Sequence, residues 1–389
     1  MKIGVLTKEI PYPPHKNGGA NTIFNIFKRI NNANVDLIVL NDDKEEYSIA
    51  PELERVFNKI IVHDLPHKNK LSTVLSSAFT FHTFKSVKLY DEKLKGILEG
   101  YDIVFIHDFP LIKYCTLASQ NKLFFICDSQ FKLVDSYAKK DKKILRKIQF
   151  KVKKFFYKKM FQKYREDFGT LLYISKIDME YDKELFPTIK DMAYINNGVD
   201  LGYFSPVENK EYEYDLIFLG NLSYKPNYDA VVSLGRDIVP MLSKKYPNIK
   251  CVIVGKNVPE ELRQYSSKHI IFTGFVEDVR EYLNKSKIFV SPLYSGAGMK
   301  NKILEAMAMN KIIIASDISY EGIEIRDKTF MYTANNDKEF VECIEEVVDN
   351  FSGFKNINNR SKLFPSYSWD YQAENLFQLF QQQKGKREE

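Results

Sequence analysis

The residues whose types and spacing point to chemistry lie together in Ser295-Gly-Ala-Gly-Met-Lys-Asn-Lys-Ile-Leu-Glu-Ala-Met-Ala-Met309. This stretch follows a strand-like run, Ile288 to Val290, that ends at Pro292. Gly296 and Gly298 make a loop without side-chain bulk. From Met299 the apolar positions Ile303, Leu304, Met307 and Ala308 recur at helical spacing. A glycine loop feeding a helix N-terminus binds anions, because free backbone N–H groups and the helix dipole meet there. Lys300 and Lys302, read as first-turn residues, oppose the dipole but suit a bound phosphate. Glu305, one turn further in, would reach a ribose diol beside that phosphate. Gly-rich loops before helices also serve close packing alone, so the spacing by itself leaves both readings open.

Two further side chains stand where ligands gather in parallel α/β sheets, beyond the carboxyl ends of strands. His107 closes a strand predicted over Asp102–Ile106, and Asp128 closes one over Lys122–Cys127. An unperturbed imidazole titrates near neutrality and suits general acid/base work. A histidine so placed equally well only bonds a sugar or a loop carbonyl. Asp128 reads either as an acceptor-hydroxyl contact or as the cap of the following turn. Gly18 and Gly19 fall on the same rim. No Asp-x-Asp follows an apolar strand and no His/Cys cluster has metal spacing, so no metal site is expected.

The elements that position these residues alternate. Strands are predicted at 2–7, Val35–Leu40, Lys59–Val62, Asp102–Ile106, Lys122–Cys127 and Leu171–Ser175. Between them come a helix carrying Ile23, Phe24, Ile26 and Phe27 with Asn21 as its cap, mainly helical residues over 71–98, one long helix over 137–166, and a helix to about Phe186. Asn196 to Pro206 has linker composition. A second series then starts. It has strands at Leu216–Leu219, Lys250–Val254 (closed by Gly255), Ile270–Thr273, Ile288–Val290 and Lys311–Ala315, and a loop from Gly220 to Asn227 that carries Lys225. Helices fall at roughly 228–244, Glu277–Asn284 and Asp337–Asp349, with a last one from Trp369 to about Gln383. Such alternation argues for parallel βαβ units.

A chain of 389 residues with 44% hydrophobic content has the length for about two domains. The four cysteines are widely spread with no pairing framework, which fits a reducing cytosol. Met1-Lys2 runs straight into a strand, so no secretory leader is expected, and no apolar run reaches the roughly 18 residues of a membrane span. Of the net charge of +6, the segment from Lys139 to Glu166 supplies +11, so the rest of the chain is −5. That segment keeps an apolar stripe, Ile144, Leu145, Ile148, Val152, Phe155 and Phe156, among its lysines. It reads as a basic amphipathic helix on anionic lipid, as a domain helix burying its stripe, or as a nucleic-acid contact; no DNA- or RNA-reading motif accompanies it.

Four motifs in register carry a resemblance: Asn197-Gly-Val-Asp200, Leu219-Gly-Asn-Leu-Ser-Tyr-Lys-Pro-Asn227, Gly274-Phe-Val-Glu-Asp-Val279 and Gly296–Met309. Over roughly 196–325 the chain resembles family 4 retaining glycosyltransferases of the GT-B fold. The resemblance implies two Rossmann-like domains facing across a cleft. The acceptor domain would cover 1–197, with the helix at about 368–389 packed back on it, and the nucleotide-sugar domain 198–367. It further implies that Glu305 binds the ribose, that the backbone near Phe275 and Val276 edges the base, and that the helix from Met299 meets the diphosphate. Gly18 and Gly19 would let the first domain's loop approach the phosphates. Relatives often carry a second glutamate where this chain has Ala297, and an arginine where it has Asn221. Lys225, Lys300 and Lys302 are left to balance the diphosphate.

The expected activity is a metal-independent, retaining transfer of a sugar from a nucleotide diphosphate sugar (UDP-sugar first, GDP-sugar second) to a glycan. The acceptor would belong to a surface polysaccharide, a lipid-linked oligosaccharide or a glycoprotein. No cofactor is required, and the location is cytoplasmic or peripheral on the inner face of the membrane. A nucleotide-sugar 2-epimerase of the same fold and a silent sugar-nucleotide-binding subunit are the alternatives.

Overall fold

The computed structural model describes residues 1–13, 18–42, 49–80, 82–118, 121–140, 143–207, 211–325, 327–354, 357–363 and 366–385. The chain divides into two compact units, Met1–Asn197 with Trp369–Glu389, and Gly198–Ser368.

The first unit is built on a seven-stranded sheet: β1 (Lys2–Thr7), β2 (Asn34–Asn41), β3 (Lys59–Asp64), β4 (Ile103–His107), β5 (Lys122–Cys127), β6 (Thr170–Tyr173) and β7 (Met192–Tyr194). Their spatial order is β3-β2-β1-β4-β5-β6-β7, and every neighbouring pair is parallel. Central strands such as Ile-Val-Phe-Ile-His in β4 are buried on both faces, which is why they read as near-continuous apolar runs. The helix Gly18–Phe27 follows β1, so Asn21 lies inside it rather than capping it; its side chain accepts from Asn25 Nδ2 at 2.7 Å. The last helix, Trp369–Gly385, belongs to this unit and sets Phe380 against Phe27 and Phe105. Residues 386–389, at the end of the helix expected to about 389, lie outside the described residues.

Two sequence expectations change here. Residues 71–98 form short pieces, Lys70–Thr80, Phe84–Lys88, Glu92–Leu94 and Lys95–Leu98, rather than long helix. The basic segment is two helices, Gln130–Lys140 and Ile144–Tyr164, and residues 141 and 142 lie outside the described residues. The two helices run back along each other: Lys154 pairs with Asp135, and the Tyr137 and Phe150 rings are 6.0 Å apart. Of the readings of the basic segment's stripe, burial as a domain helix does not hold: Ile144 is 75%, Leu145 76% and Phe155 50% exposed. Tyr157, Met160, Phe161 and Tyr164 enter the core in its place.

The second unit is a six-stranded parallel sheet: β8 (Tyr214–Leu219), β9 (Cys251–Val254), β10 (Ile270–Gly274), β11 (Ser286–Ser291), β12 (Ile312–Ala315) and β13 (Met331–Thr333). Its order is β10-β9-β8-β11-β12-β13, so sequence order reverses between β8 and β11. Lys225 and Pro226 open a helix, Lys225–Ser233, instead of lying in a loop, since proline is favoured in a first turn. That helix continues through a wider turn at Leu234–Ile238 into Val239–Lys245. The segment after Asn197 is not loose: Arg360 donates to the carbonyls of Leu201 and Phe204, and the Arg280 guanidinium lies 3.9 Å over the Tyr203 ring.

Candidate functional site

In open parallel sheets, ligands bind beyond the carboxyl ends of strands at the point where strand order reverses. In the second unit that point lies between β8 and β11, and the loops after β8, β9 and β11 all bear on it. Gly220 follows β8, and a Cβ there would stand 2.7 Å from Asn227 Nδ2. Gly255 follows β9, and its Cβ would fall 1.8 Å from the Gly220 carbonyl oxygen. Only glycine lets these two loops close on each other. Gly296 and Gly298 adopt φ of 131° and 73°, which turn the chain out of β11 and into the helix Asn301–Ala308.

That helix starts two residues later than its periodicity suggested. Lys300 is therefore its N-cap residue, with no side-chain cap, and Lys302 is in its first turn. Neither ammonium group points away from the protein. Lys300 donates to the carbonyls of Ala297 (2.9 Å) and Gly298. Lys302 donates to Leu219 O (3.0 Å) and Asn227 Oδ1 (2.8 Å), with its Nζ 4.2 Å from the Phe218 ring centre. Asn227 in turn donates to Asn221 O at 2.9 Å, so Lys302 ties the helix start to the loop after β8. Asn221 Oδ1 accepts from Ser223 and from Asn257 Nδ2.

The electrostatics are unusual. Burial, then Lys300, push Lys302 down to about 7, against the pull of Glu305. Burial pushes Glu305 up to about 7, against the pull of Lys302. No group among the described residues hydrogen-bonds to the Glu305 carboxyl. Ser295 Oγ and Asn301 Oδ1 are likewise buried without a partner among the described residues. A desolvated carboxyl, a desolvated ammonium group and two unmatched polar atoms thus meet at one helix start, the kind of perturbation that marks functional sites. An anion would favour the charged form of Lys302, and hydroxyl donors would favour the carboxylate of Glu305.

Of the other expected residues, Met299 is 5% exposed and packs in the core, and Phe275 is 59% exposed directly after Gly274 (φ 73°). Val276 packs partly against the same core as Met299. Lys225 is exposed and paired with Asp229 one turn on. Asn227 and Ser295 stand in the quoted motifs with no role of their own assigned from sequence, and Asn257 stands in none. The chemical signal of Asn227 was its place in the Leu219–Asn227 motif, whereas Asn257 has no signal beyond loop composition.

In the first unit, strand order reverses between β1 and β4. Lys8, just after β1, makes a short ion pair with Asp108, just after β4. Asp108 has φ 90° and accepts from its neighbour's N–H, Phe109 N, at 2.7 Å; Cys127 at the end of β5 has φ 62°. Two non-glycine residues in the left-handed region on adjacent strand ends store strain of a kind found at functional sites. His107 is buried, with Nε2 3.4 Å from Cys127 Sγ. Burial holds its pKa down at about 4, with Asp108 opposing. It is therefore neutral near pH 7, with one ring nitrogen protonated and the other an acceptor, and is not an imidazolium acid there. Asp128 stands next to this group, and Ser129 behind it donates to the buried Asp182. Among the described residues other than its chain neighbours and its own helix, no atom lies within 4 Å of where a Cβ on Gly18 would stand, and Gly19 is half-buried in the same first turn. The structure thus gathers His107, Lys8, Asp108, Cys127 and Asp128 on one rim of the first unit, and Gly220, Asn221, Gly255, Gly296, Gly298, Lys300, Lys302 and Glu305 on one rim of the second. Among the described residues no three His, Cys, Asp or Glu side chains group to hold a metal ion, and no helix is long and apolar enough to cross a membrane.

Comparisons with known proteins agree with this geometry. Residues 213–350 match the family described as Glycosyl transferases group 1. Among solved structures, a sucrose-phosphate synthase from Thermosynechococcus elongatus superposes with TM-score 0.70 at 14% identity, covering 98% of each chain. HepE of Anabaena, solved with UDP and glucose, gives TM-score 0.65 at 12% identity over 98% of this chain and all (100%) of that one. These place the chain in the GT-B fold. An uncharacterized 44.6 kDa protein in the cps region of Klebsiella pneumoniae is 24% identical over 95% of this chain and 96% of its own length. A phosphatidyl-myo-inositol mannosyltransferase of Mycolicibacterium smegmatis is 27% identical over 33% of this chain and 35% of its own. The protein is similar to glycosyltransferases in both sequence and fold, and sugar transfer is the activity that these likenesses support.

Proposed function

We propose that the protein is a retaining, metal-independent glycosyltransferase that takes its sugar from a nucleotide diphosphate sugar, UDP-linked in the first instance. One observation carries the donor reading: Lys302 and Glu305 are both perturbed in the direction that a nucleotide diphosphate would relieve. The diphosphate would sit at the start of the helix Asn301–Ala308, where backbone N–H groups, Lys300 and the Ser295 hydroxyl surround it. The Glu305 carboxylate would accept from the ribose hydroxyls. The backbone after Gly274 would edge the base.

In the transfer, the bond from the anomeric carbon to the diphosphate breaks, and an acceptor hydroxyl bonds to the same face of the sugar. Charge growing on the leaving diphosphate is met by the helix N-terminus and lysines that are already in place, the form of stabilisation that tends to dominate catalysis. The departing phosphate takes the acceptor's proton, so no dedicated protein base is required. The first unit, through His107 and Asp128, is the acceptor half. The acceptor reading is a glycan of surface polysaccharide, lipid-linked oligosaccharide or glycoprotein type. The exposed Ile144, Leu145 and Ile148 among lysines support contact of 139–166 with an anionic membrane.

The test is a thermal-shift screen of nucleotides and nucleotide sugars, with and without EDTA. Ligand at about a hundred times its dissociation constant stabilises by about 2.7 kcal/mol. A selective shift with one diphosphate sugar that EDTA leaves intact is the expected result. No shift with any of them overturns the donor reading and favours a silent subunit.

A further inference from the structure

The helix Lys70–Thr80 carries its apolar side chains on the outside. Leu71, Val74, Leu75 and Phe79 recur at the spacing that ordinarily faces a core. They are instead 68%, 46%, 51% and 82% exposed. Thr73 is the residue this helix buries, its hydroxyl bonded to the Asn69 carbonyl at 2.9 Å. Large apolar side chains lined up on the water side of a helix mark a surface made to be covered.

The neighbouring chemistry says by what. From residue 66 to residue 90 the sequence has four lysines and no acid. Directly after the helix, buried His82 shares a 2.6 Å hydrogen bond with the Tyr164 hydroxyl, which brings the end of the helix Ile144–Tyr164 alongside. Lys113 stands 3.8 Å over the Tyr90 ring, and Lys68 donates to the carbonyls of Val87 (2.6 Å) and Tyr90. Burial, then the like charges of Lys68 and Lys163, push Lys113 down to about 8, with Glu92 as the opposing acid. Burial, then Lys163 and Lys113, push His82 down to about 4. Lys68 and Lys113 thus meet at Tyr90 with Lys163 near enough to repel Lys113, and although Asp42 and Asp91 offset part of the charge on Lys68, the cluster stands next to an uncovered apolar helix. Phosphates outside and acyl chains within are the two layers of an anionic bilayer surface.

We propose that the helix Lys70–Thr80 docks on a bilayer, with Leu71, Val74, Leu75 and Phe79 entering the acyl boundary and Lys68, Lys113 and Lys163 taking the phosphates of anionic phospholipids. This contact is additional to the one through 139–166 and does not depend on the donor reading.

The experiment is co-sedimentation of the full chain with vesicles of phosphatidylcholine alone and with about one third phosphatidylglycerol. Wild type is expected on the phosphatidylglycerol vesicles and not on the neutral ones. The double variant Leu75→Ser, Phe79→Ser should bind at least about tenfold more weakly, with an unchanged melting temperature because both side chains are exposed. Lys113→Gln should reduce the preference for phosphatidylglycerol. The variant Ile144→Ser, Leu145→Ser, Ile148→Ser is carried in parallel and should retain binding that depends on Leu75 and Phe79. The proposal is overturned if the Leu75/Phe79 variant binds like wild type, if neutral vesicles bind as well, or if that variant melts earlier. It is overturned too if wild type, but not the variant, dimerises without vesicles, since a second copy would then be what covers the helix.

Discussion

Replacing Glu305 with glutamine should make the ligand-free protein more stable and the donor complex weaker. The carboxyl is pushed from its usual 4.5 to about 7 by burial, with only Lys302 to offset it. An acid whose folded pKa lies above its unfolded value holds its proton more tightly in the fold. It therefore withdraws stability as pH climbs from about 4.5 to about 7, and the loss is complete above that. At about 1.36 kcal/mol for each tenfold change in proton affinity, the loss has a ceiling of about 3 kcal/mol. Glutamine has the same shape and no charge, so Glu305→Gln should stabilise by about 1–3 kcal/mol at pH 8 and by nothing at pH 4.5. In a unit of this size each kcal/mol moves the melting temperature by about 2–4 °C. The binding effect has the opposite sign: hydrogen bonds from ribose hydroxyls to a charged acceptor are worth about 1.5–3 kcal/mol, so nucleotide affinity should fall roughly tenfold to a hundredfold. Thermal melts from pH 4.5 to 8.5, with and without nucleotide, read both. A variant no more stable than wild type at pH 8, or equally stabilised at both ends of the range, would refute the reasoning about a desolvated carboxyl.

Gly255→Ala should cost about 1–3 kcal/mol or more, because its Cβ would meet the Gly220 carbonyl oxygen at 1.8 Å and backbone must move. It should also weaken the nucleotide-induced shift. Gly353→Ala in the same unit, where among the described residues beyond its chain neighbours no atom lies within 4 Å of the new Cβ, should stay within about 0.5 kcal/mol; equal melting temperatures for the two variants would contradict the close approach. Asp182→Ala removes the acceptor of the Ser129 and Tyr173 hydroxyls and leaves both buried. Because burial holds the Asp182 carboxyl up at about 7, its ionisation already strains the wild type at high pH. The variant should therefore lose about 2–4 kcal/mol near pH 5 and less near pH 8, read from urea midpoints.

Much of the scaffold was legible because buried parallel strands leave a strong trace. Ile312-Ile313-Ile314-Ala315 and Ile103 to Ile106 are apolar on both faces, so they stand out against any helix periodicity. The division of the basic segment into the helices Gln130–Lys140 and Ile144–Tyr164 was not legible. The stripe lies wholly within the second helix and says nothing of the first, and the pairing of Lys154 with Asp135 and the Tyr137–Phe150 ring contact show that the two helices run back along each other. The Lys70–Thr80 helix misleads for a related reason: spacing shows that a helix has an apolar face, but not whether that face is turned inward.

The same division runs through the candidate site. By itself the sequence determined that glycines and lysines precede a helix beyond a buried strand, because local backbone freedom and periodicity depend on near neighbours alone. It determined too that Glu305 lies one turn into that helix. The tertiary structure decided which charges are hidden. Lys302 is tied to Leu219 and Asn227, 83 and 75 residues away, and Glu305 is desolvated by the packing around it. Lys8 finds Asp108 a hundred residues on because β1 and β4 are neighbours in the sheet. Burial and ion pairing depend on what the fold brings within a few ångströms, and strand order sets that, since residue spacing along the chain does not.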